Sequence, residues 1–336
     1  MKILITGGAG FIGSELGKFL LSKGMDVVLL DNMEYGYWDN FSDNATLKKN
    51  FILADVRDAD FAKYLEGVDV VFHLAGISAL PECESKPVKA FDVNTKGTVN
   101  VLNACRNTRV KKVIFASTSA VYENNPKEEI HKEIDPVCPN LIYATSKYCA
   151  EQVCKSYAQN YDMNIIICRF FNVFGPHQDF KRKYPPFTSF LIREALAGRV
   201  PTIYNTTDVK RDYIYVDDLM TYLYLMVTSV KHFRAEIFNL ATGQAYAALE
   251  IARMIYEILG KKFEYNVGNS KNFWDNYPEL FDKAYNLSKQ RVEQEVFKHC
   301  LGNGDKVAQE FGYRARTDLR AGLEHIISYQ RKYSHE

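Results

Sequence analysis

The chain has 336 residues, 47% hydrophobic and 25% charged, with a net charge of +1. That is the composition of an ordinary globular protein with material for a sizeable core, and it gives no reason to expect a nucleic-acid or membrane partner. The seven cysteines, Cys83, Cys105, Cys138, Cys149, Cys154, Cys168 and Cys300, are odd in number and form no C-x-x-C pair. They read as reduced thiols of a cytoplasmic protein. The chain enters a strand pattern at once, so no signal peptide is expected, and its most apolar later stretch, "LMTYLYLMV" at 219–227, is too short to span a bilayer.

Apolar runs at 2–6, 26–30, 50–53, 69–75 and 111–117 read as buried strands, because parallel strands covered on both faces lose the polar alternation. Helical patterns lie between them at 11–23, 58–66 and 87–106. A helix at 141–160 and a sixth strand at 164–170 continue the rhythm. The pattern predicts an α/β fold with a Rossmann-type doubly wound parallel sheet. After about residue 175 the rhythm breaks at the polar loop "GPHQDFKRKYPPF". Then come a helix (187–198), strands (200–204 and 212–216), a helix (217–230), a strand (236–240), a helix (248–260) and a charged tail. These predict a smaller mixed α/β lobe over 176–336, interleaved with the first unit over 1–175, to which the chain returns from about 212–245.

Gly7, Gly10 and Gly13 sit between the first strand and the first helix. A strand must turn there, a diphosphate must approach the backbone, and the helix must pack against the sheet, and each task favours a residue without Cβ. The helix N-terminus offers free N–H groups to phosphate. Asp31, ending strand two, can accept both hydroxyls of an adenosine ribose and repels a 2′-phosphate, which favours NAD over NADP. Asp55 and Val56, after strand three, fall where an adenine ring lies, although Asp55 also suits a helix N-cap.

Tyr143 and Lys147 are four residues apart on a predicted helix and share a face. A buried ammonium beside a phenol stabilises the phenolate, so Tyr143 can serve as a general base although free tyrosine titrates near ~10. Ser117, Thr118 and Ser119 end strand five, the edge where such sheets bind ligands. A hydroxyl there can relay a proton to Tyr143, or simply cap the next turn.

With these residues the sequence resembles the extended short-chain dehydrogenases/reductases that act on nucleotide sugars, in particular UDP-glucose 4-epimerase-like members. The motifs are "TGGAGFIG", "DN" at 31–32, "ADVRD", "VFHLAG", "NTKGTVNVL", "FASTSAVY", "YATSK", "CRFFNVFGP" and "RDYIYVDDL", in family order over residues 1 to about 230. The resemblance implies that NAD contacts Gly7, Gly10, Phe11, Ile12, Gly13, Asp31, Asn32, Asp55, Val56, Leu74, Ala75, Asn94 and Lys147. It implies Thr118, Tyr143 and Lys147 as catalytic residues, and Thr118, Tyr143, Asn172, Arg211 and Arg291 as contacts to the nucleotide sugar, the arginines on its diphosphate. It also implies a homodimer built on the helices at about 87–106 and 141–160.

Ser119 and Ala120 stand where the family's 4,6-dehydratases carry Asp and Glu and its decarboxylases carry Glu at the second position. Their absence leaves hydride chemistry at C4: a 4-epimerase through a 4-keto intermediate is expected. The alternative is a 4-dehydrogenase or 4-ketoreductase, for example on a GDP-linked heptose. A 4,6-dehydratase and a non-catalytic NAD(H)-binding sensor are the remaining readings. Glu123 departs from the family's "VYG", and "TIYNTTDVKRDY" lacks its "GDG". The aromatics of "NFWDNYPELF" (272–281) suit either a pocket wall or core packing. His73 reads as a satisfied core histidine, His177 as a residue of the phosphate loop that could touch substrate, and "KRK" at 181–183 as a solvated loop. No spacing suggests a metal site.

Overall fold

Seven strands run parallel across the centre of the computed structural model, which describes residues 1–123 and 130–333. The first half supplies β1 (Lys2–Thr6), β2 (Asp26–Asp31), β3 (Phe51–Leu53), β4 (Val70–His73), β5 (Lys112–Thr118) and β6 (Ile165–Phe170). The chain then makes β7 (Asn172–Phe174), β8 (Thr202–Ile203) and β9 (Lys210–Tyr215), and returns to the sheet as β10 (Arg234–Leu240), paired with β6. The strand order is β10-β6-β5-β4-β1-β2-β3. The direction of winding reverses between β1 and β4, so a crevice opens there at the C-terminal edge. Two small sheets carry the rest: β7 and β9 with β11 (Ala245–Ala247), and β8 with β12 (Asn266–Val267).

The strands are apolar throughout because both faces are covered. Ile3, Ile5, Leu29, Phe72 and Ile114 enter one core, while Leu4, Leu30, Val71, Phe115 and Ile167 enter the other. The period of two along each strand divides the residues in this way.

Two helical expectations need correction. The segment 58–66 makes only a 3₁₀ turn, Phe61–Leu65, before Gly67 reverses the chain at φ 69°. Five residues are too few to repay the nucleation of an α-helix. The helix at 87–106 is interrupted. Pro87–Phe91 passes through a π-helical turn, Asp92–Lys96, into Gly97–Arg106. A short helix, Leu80–Ser85, precedes it. The helix Ile142–Tyr161 ends on Asp162 in the left-handed region, φ 53°. Among the described residues no helix is long and apolar enough to cross a membrane.

Candidate active site

The glycine turn is closed to side chains at two points. A Cβ on Gly7, whose φ is 70°, would stand 2.8 Å from the Ala75 nitrogen, and one on Gly13 would stand 2.2 Å from the Gly7 oxygen. The turn delivers the chain into the helix Phe11–Ser22, whose first N–H groups, those of Phe11 and Ile12 among them, have no acceptor within the helix.

Asp31 is buried at the end of β2. Its Oδ2 accepts from the Ala9 N–H at 3.0 Å and its Oδ1 from the Met33 N–H at 2.8 Å. Burial pushes its carboxyl above the ordinary range, while the N–H groups of Met33 and Ala9 oppose that shift. Each oxygen keeps capacity for a further donor, which is what a ribose diol supplies. Asp55 is forked by Arg57, Nε to Oδ1 and Nη2 to Oδ2 at 2.8 Å each, and accepts from Asn32 Nδ2 at 2.8 Å. The Arg57 hydrogen bonds hold that carboxyl well below the usual carboxylate range. Arg57 reaches on to Asp92 at 3.0 Å.

These residues share one cleft. Gly7, Gly10, Asp31, Asn32, Asp55, Val56, Leu74 and Ala75 all line it. Glu34, Tyr35, Gly36, Ile77 and Val93 line it too, and sequence reasoning missed them. Tyr35 closes the rim through its hydroxyl, which donates to Glu82 at 2.5 Å. Asn94, in the π turn, has both amide hydrogens committed, to the Ile77 carbonyl at 3.1 Å and Ser146 Oγ at 3.0 Å, and its oxygen accepts from Ile77 N at 2.9 Å. It holds the crevice wall rather than presenting a free donor.

None of Thr118, Tyr143 and Lys147 is in that lining, although Tyr143 packs against a cluster that includes Ile77 and Val93 of the wall. The hydroxyls of Ser117, Thr118 and Ser119, at the end of β5 and in the turn after it, part company. Ser117 turns inward and donates to Glu151 Oε1 at 2.5 Å. Ser119 meets Cys300 Sγ at 3.3 Å. Thr118 accepts from Ala120 N at 3.1 Å and hydrogen-bonds the Tyr143 hydroxyl. Burial pushes the Tyr143 phenol up to about 12, and the Thr118 bond works against that. Lys147 is 4% exposed, its Nζ 4.4 Å from the centre of the Phe115 ring. It makes no hydrogen bond or ion pair with the described residues, and burial pushes its ammonium down to about 8. That buried donor fits the hydroxyls of a nicotinamide ribose.

Sequence reasoning also missed what lies behind Lys147. Glu151, one helical turn on and fully buried, is clamped by Arg169 (Nε to Oε1 3.0 Å, Nη2 to Oε2 2.8 Å), which also donates to the Tyr122 hydroxyl at 2.7 Å. The signal was present. An arginine inside the apolar run of β6 requires a buried acid.

On the substrate side, Asn172 Nδ2 donates to the Asp212 carbonyl at 2.7 Å. Arg211 donates through Nη2 to the Glu295 carbonyl at 2.6 Å and stands 3.7 Å from Glu295 Oε1. Arg291, on the helix Lys289–Val296, forms an ion pair with Glu123, while its Nε–H is buried without an acceptor. His73 is a satisfied core histidine: Nδ1 meets Thr6 Oγ1 at 2.8 Å and Nε2 meets Thr98 Oγ1 at 3.0 Å. Burial, then the Lys147 charge, takes it down to about 3. His177 stands 2.7 Å from Glu15 of the helix Phe11–Ser22 and packs on Tyr329.

In the "KRK" loop Lys181 and Lys183 are exposed. Lys181 lies over Tyr333 and Lys183 over Tyr277, and Arg182 is half-buried with Nε donating to the Tyr184 carbonyl at 2.6 Å. In the aromatic segment, Trp274 is fully buried against Leu141 and Val292, so core packing accounts for it.

Residues 3–241 match the family model described as the NAD dependent epimerase/dehydratase family. A putative UDP-glucose 4-epimerase of Methanocaldococcus jannaschii is 30% identical over 331 residues, 98% of each chain. The fold superposes on the UDP-glucose 4-epimerase of Thermotoga maritima, solved with UDP-glucose, at TM-score 0.85 and 25% identity over 99% of each chain. It also superposes on the UDP-glucuronic acid 4-epimerase of Bacillus cereus, solved with UDP-glucuronic acid and NAD. There the TM-score is 0.83 at 26% identity, over 99% of this chain and 100% of that one.

Proposed function

We infer the reaction from the premise that this chain belongs to the NAD-dependent epimerase/dehydratase family and works with NAD on a nucleotide-linked sugar. The reading is a nucleotide-sugar 4-epimerase. The observation that carries it is the set of Thr118, Tyr143 and Lys147 beside the crevice, with the small residues Ser119 and Ala120 where acid and base for elimination would stand.

Asp31 holds the adenosine ribose, Asp55 and Val56 the adenine, the turn from Gly10 to Ile12 the diphosphate, and Lys147 the second ribose. Bound NAD supplies the acceptor, and afterwards the donor, for the hydrogen and electron pair at C4. The residues of the chain manage the proton. Tyr143 as phenolate takes it from the C4 hydroxyl, leaving a 4-keto sugar, and Thr118 holds that oxygen within reach of the phenol. The Lys147 ammonium stabilises the phenolate, which otherwise titrates far above neutrality in this dry site. Asn172 and Arg211 hold the substrate's diphosphate, with the Arg291 Nε–H as a further donor. Return of the same proton from Tyr143 completes inversion when the keto sugar has presented its other face.

Two copies pair, on this reading, through the helices spanning 87–106 and 142–161, where Val88 is 83% exposed.

The test is incubation of NAD-loaded protein with UDP-, GDP- and CDP-linked sugars. C4 configuration is followed by NMR and the cofactor by absorbance. A C4-inverted sugar with no net cofactor reduction is expected. A 4-keto sugar accumulating with reduced cofactor overturns the epimerase in favour of a dehydrogenase.

A further inference from the structure

The helix that carries Tyr143 begins without a local cap. Its N-cap residue, Leu141, has no side chain able to accept a hydrogen bond, where helices ordinarily place Ser, Thr, Asp or Asn. Three consecutive N–H groups are nevertheless satisfied, by carboxylates from distant parts of the chain. Glu123 Oε2 accepts from Asn140 and Leu141, both at 2.9 Å. Glu84 Oε1, from the helix Leu80–Ser85, accepts from Ile142 at 2.5 Å. The other oxygen of Glu123 meets Arg291, and the side chains of this pair are 2% and 10% exposed.

Glu123 closes the 3₁₀ turn Ser119–Tyr122 that starts directly after Thr118, and its own N–H donates to the Ala120 carbonyl at 3.1 Å. Glu123 thus joins both sides of the gap between Thr118 and Tyr143, its backbone on one and its carboxylate on the other. One side is the turn leaving β5. The other is the first turn of the helix, in which Tyr143 is the second residue. Arg291 braces it from the helix Lys289–Val296, and Leu141 packs against Trp274 and Val292 from the same side. A side chain held at three points in a buried place has one position.

We propose that Glu123 is a positioning residue: it locks the turn after Thr118 onto the start of the catalytic helix and so fixes the distance between the Thr118 and Tyr143 hydroxyls. Arg291 is part of that brace, with its Nε–H left for the substrate. The inference rests on Tyr143 acting as the base, and shifts of a fraction of an ångström at that pair are costly because proton transfer needs near-contact geometry.

Position and charge separate in two conservative variants. Glu123→Gln keeps the reach and an acceptor oxygen for Asn140 and Leu141, but turns an amide NH2 toward Arg291 and so gives up that brace with the charge. Glu123→Asp keeps the charge and cannot span both the helix N–H groups and Arg291. With UDP-glucose as the probe, Glu123→Asp and Glu123→Gly are expected to lose about tenfold or more in kcat, and Glu123→Gln, which keeps the contacts to the helix, clearly less, with NAD content within about threefold throughout. A readout that needs no substrate is the tyrosinate absorbance of NAD-loaded protein, wild type minus Tyr143→Phe. Its midpoint should rise in the Asp and Gly variants as the Thr118 bond loosens, and rise less in the Gln variant.

The reverse order, Asp active and Gln impaired, overturns the proposal in favour of a role for the charge. So does a change in KM alone, or wild-type kcat and midpoint in every variant. If Glu123→Gly does not fold, the Asp and Gln variants still decide. Full turnover in Tyr143→Phe would instead remove the base assignment, an outcome that the Glu123 series does not mimic.

Discussion

The crevice and the Tyr143–Lys147 site beside it treat buried charge in opposite ways. At the adenosine end, Asp31 sits on two backbone N–H groups with capacity to spare, and Asp55 in the fork of Arg57 with Asn32 behind it is fully satisfied. At the catalytic end, Lys147 is buried with no acceptor among the described residues, and Tyr143 with only Thr118. The first arrangement suits binding, since it meets a ligand without rearrangement. The second suits proton transfer, since burial drives both groups toward their neutral forms, the phenol up and the ammonium down, and the phenol is made acidic only when the ammonium and ligand are in place. One end is stable as built, and the other stores instability.

The contrast breaks first at Tyr143. Tyr143→Phe removes the acid–base group and nothing that holds the cofactor. Turnover is expected to fall about 10³-fold, within the usual range for a general acid–base residue, with NAD affinity unchanged. Calorimetric titration of NAD beside the C4 assay checks both halves. A variant that loses NAD binding as well would show that the two ends are not separable.

Lys147→Met sharpens the contrast through stability. The lysine is lowered from its ordinary 10.5 to about 8 in the folded protein. Below pH 8 both folded and unfolded states hold the proton, and the cost of the buried ammonium is fully present. Between about 8 and 10.5 the folded state releases the proton first, so stability rises with pH and the cost fades, a span of about 3 kcal/mol. The methionine variant should therefore melt higher than wild type at pH 7 in NAD-free protein, with the gap closing by pH 10, while turnover is lost. Equal melting temperatures at pH 7 would mean that Lys147 has a partner in solution.

How much of this was legible follows from where partners sit. Gly7, Gly13, Asp31, Thr118, Tyr143 and Lys147 each carry their meaning within one element: a turn, a strand end, a shared helix face. Glu123 does not, because what it caps begins 17 residues later and the arginine that braces it comes from Arg291. Glu151 and Arg169 are adjacent only because β6 lies beside the helix Ile142–Tyr161. Periodicity locates both elements and says nothing of which polar residues meet. The 3₁₀ turn at Phe61–Leu65 and the π turn at Asn94 escaped for a related reason, since packing against neighbours, not local propensity, selects them.

Asp31→Ala tests the binding end. The ribose hydroxyls lose both acceptors and the Ala9 and Met33 N–H groups lose theirs, so NAD affinity should fall about ten- to a hundredfold, the worth of one or two charged hydrogen bonds. Discrimination against NADP should relax with it, because the repelling carboxylate is gone. Titration of both dinucleotides reads this directly, and an unchanged NAD/NADP ratio would remove Asp31 from the ribose.

The smallest effect belongs to Arg57, and it asks whether the binding end depends on its fork or only on its carboxylates. Arg57→Ala leaves Asp55 with Asn32 and the backbone N–H of residue 57, so NAD affinity at pH 7 should weaken only about three- to fivefold, through a less ordered adenine pocket. The more telling change is with pH. In the wild type the Arg57 hydrogen bonds keep Asp55 ionised far into acid, so the carboxylate's contribution is present above the ordinary aspartate range and is lost only as pH falls through its depressed value. Without Arg57 that value returns toward the ordinary ~4. NAD affinity of the variant should then begin to drop between about pH 5 and 4, where the wild type still holds, and parallel profiles for the two proteins would show that the fork does not set the charge at the adenine site.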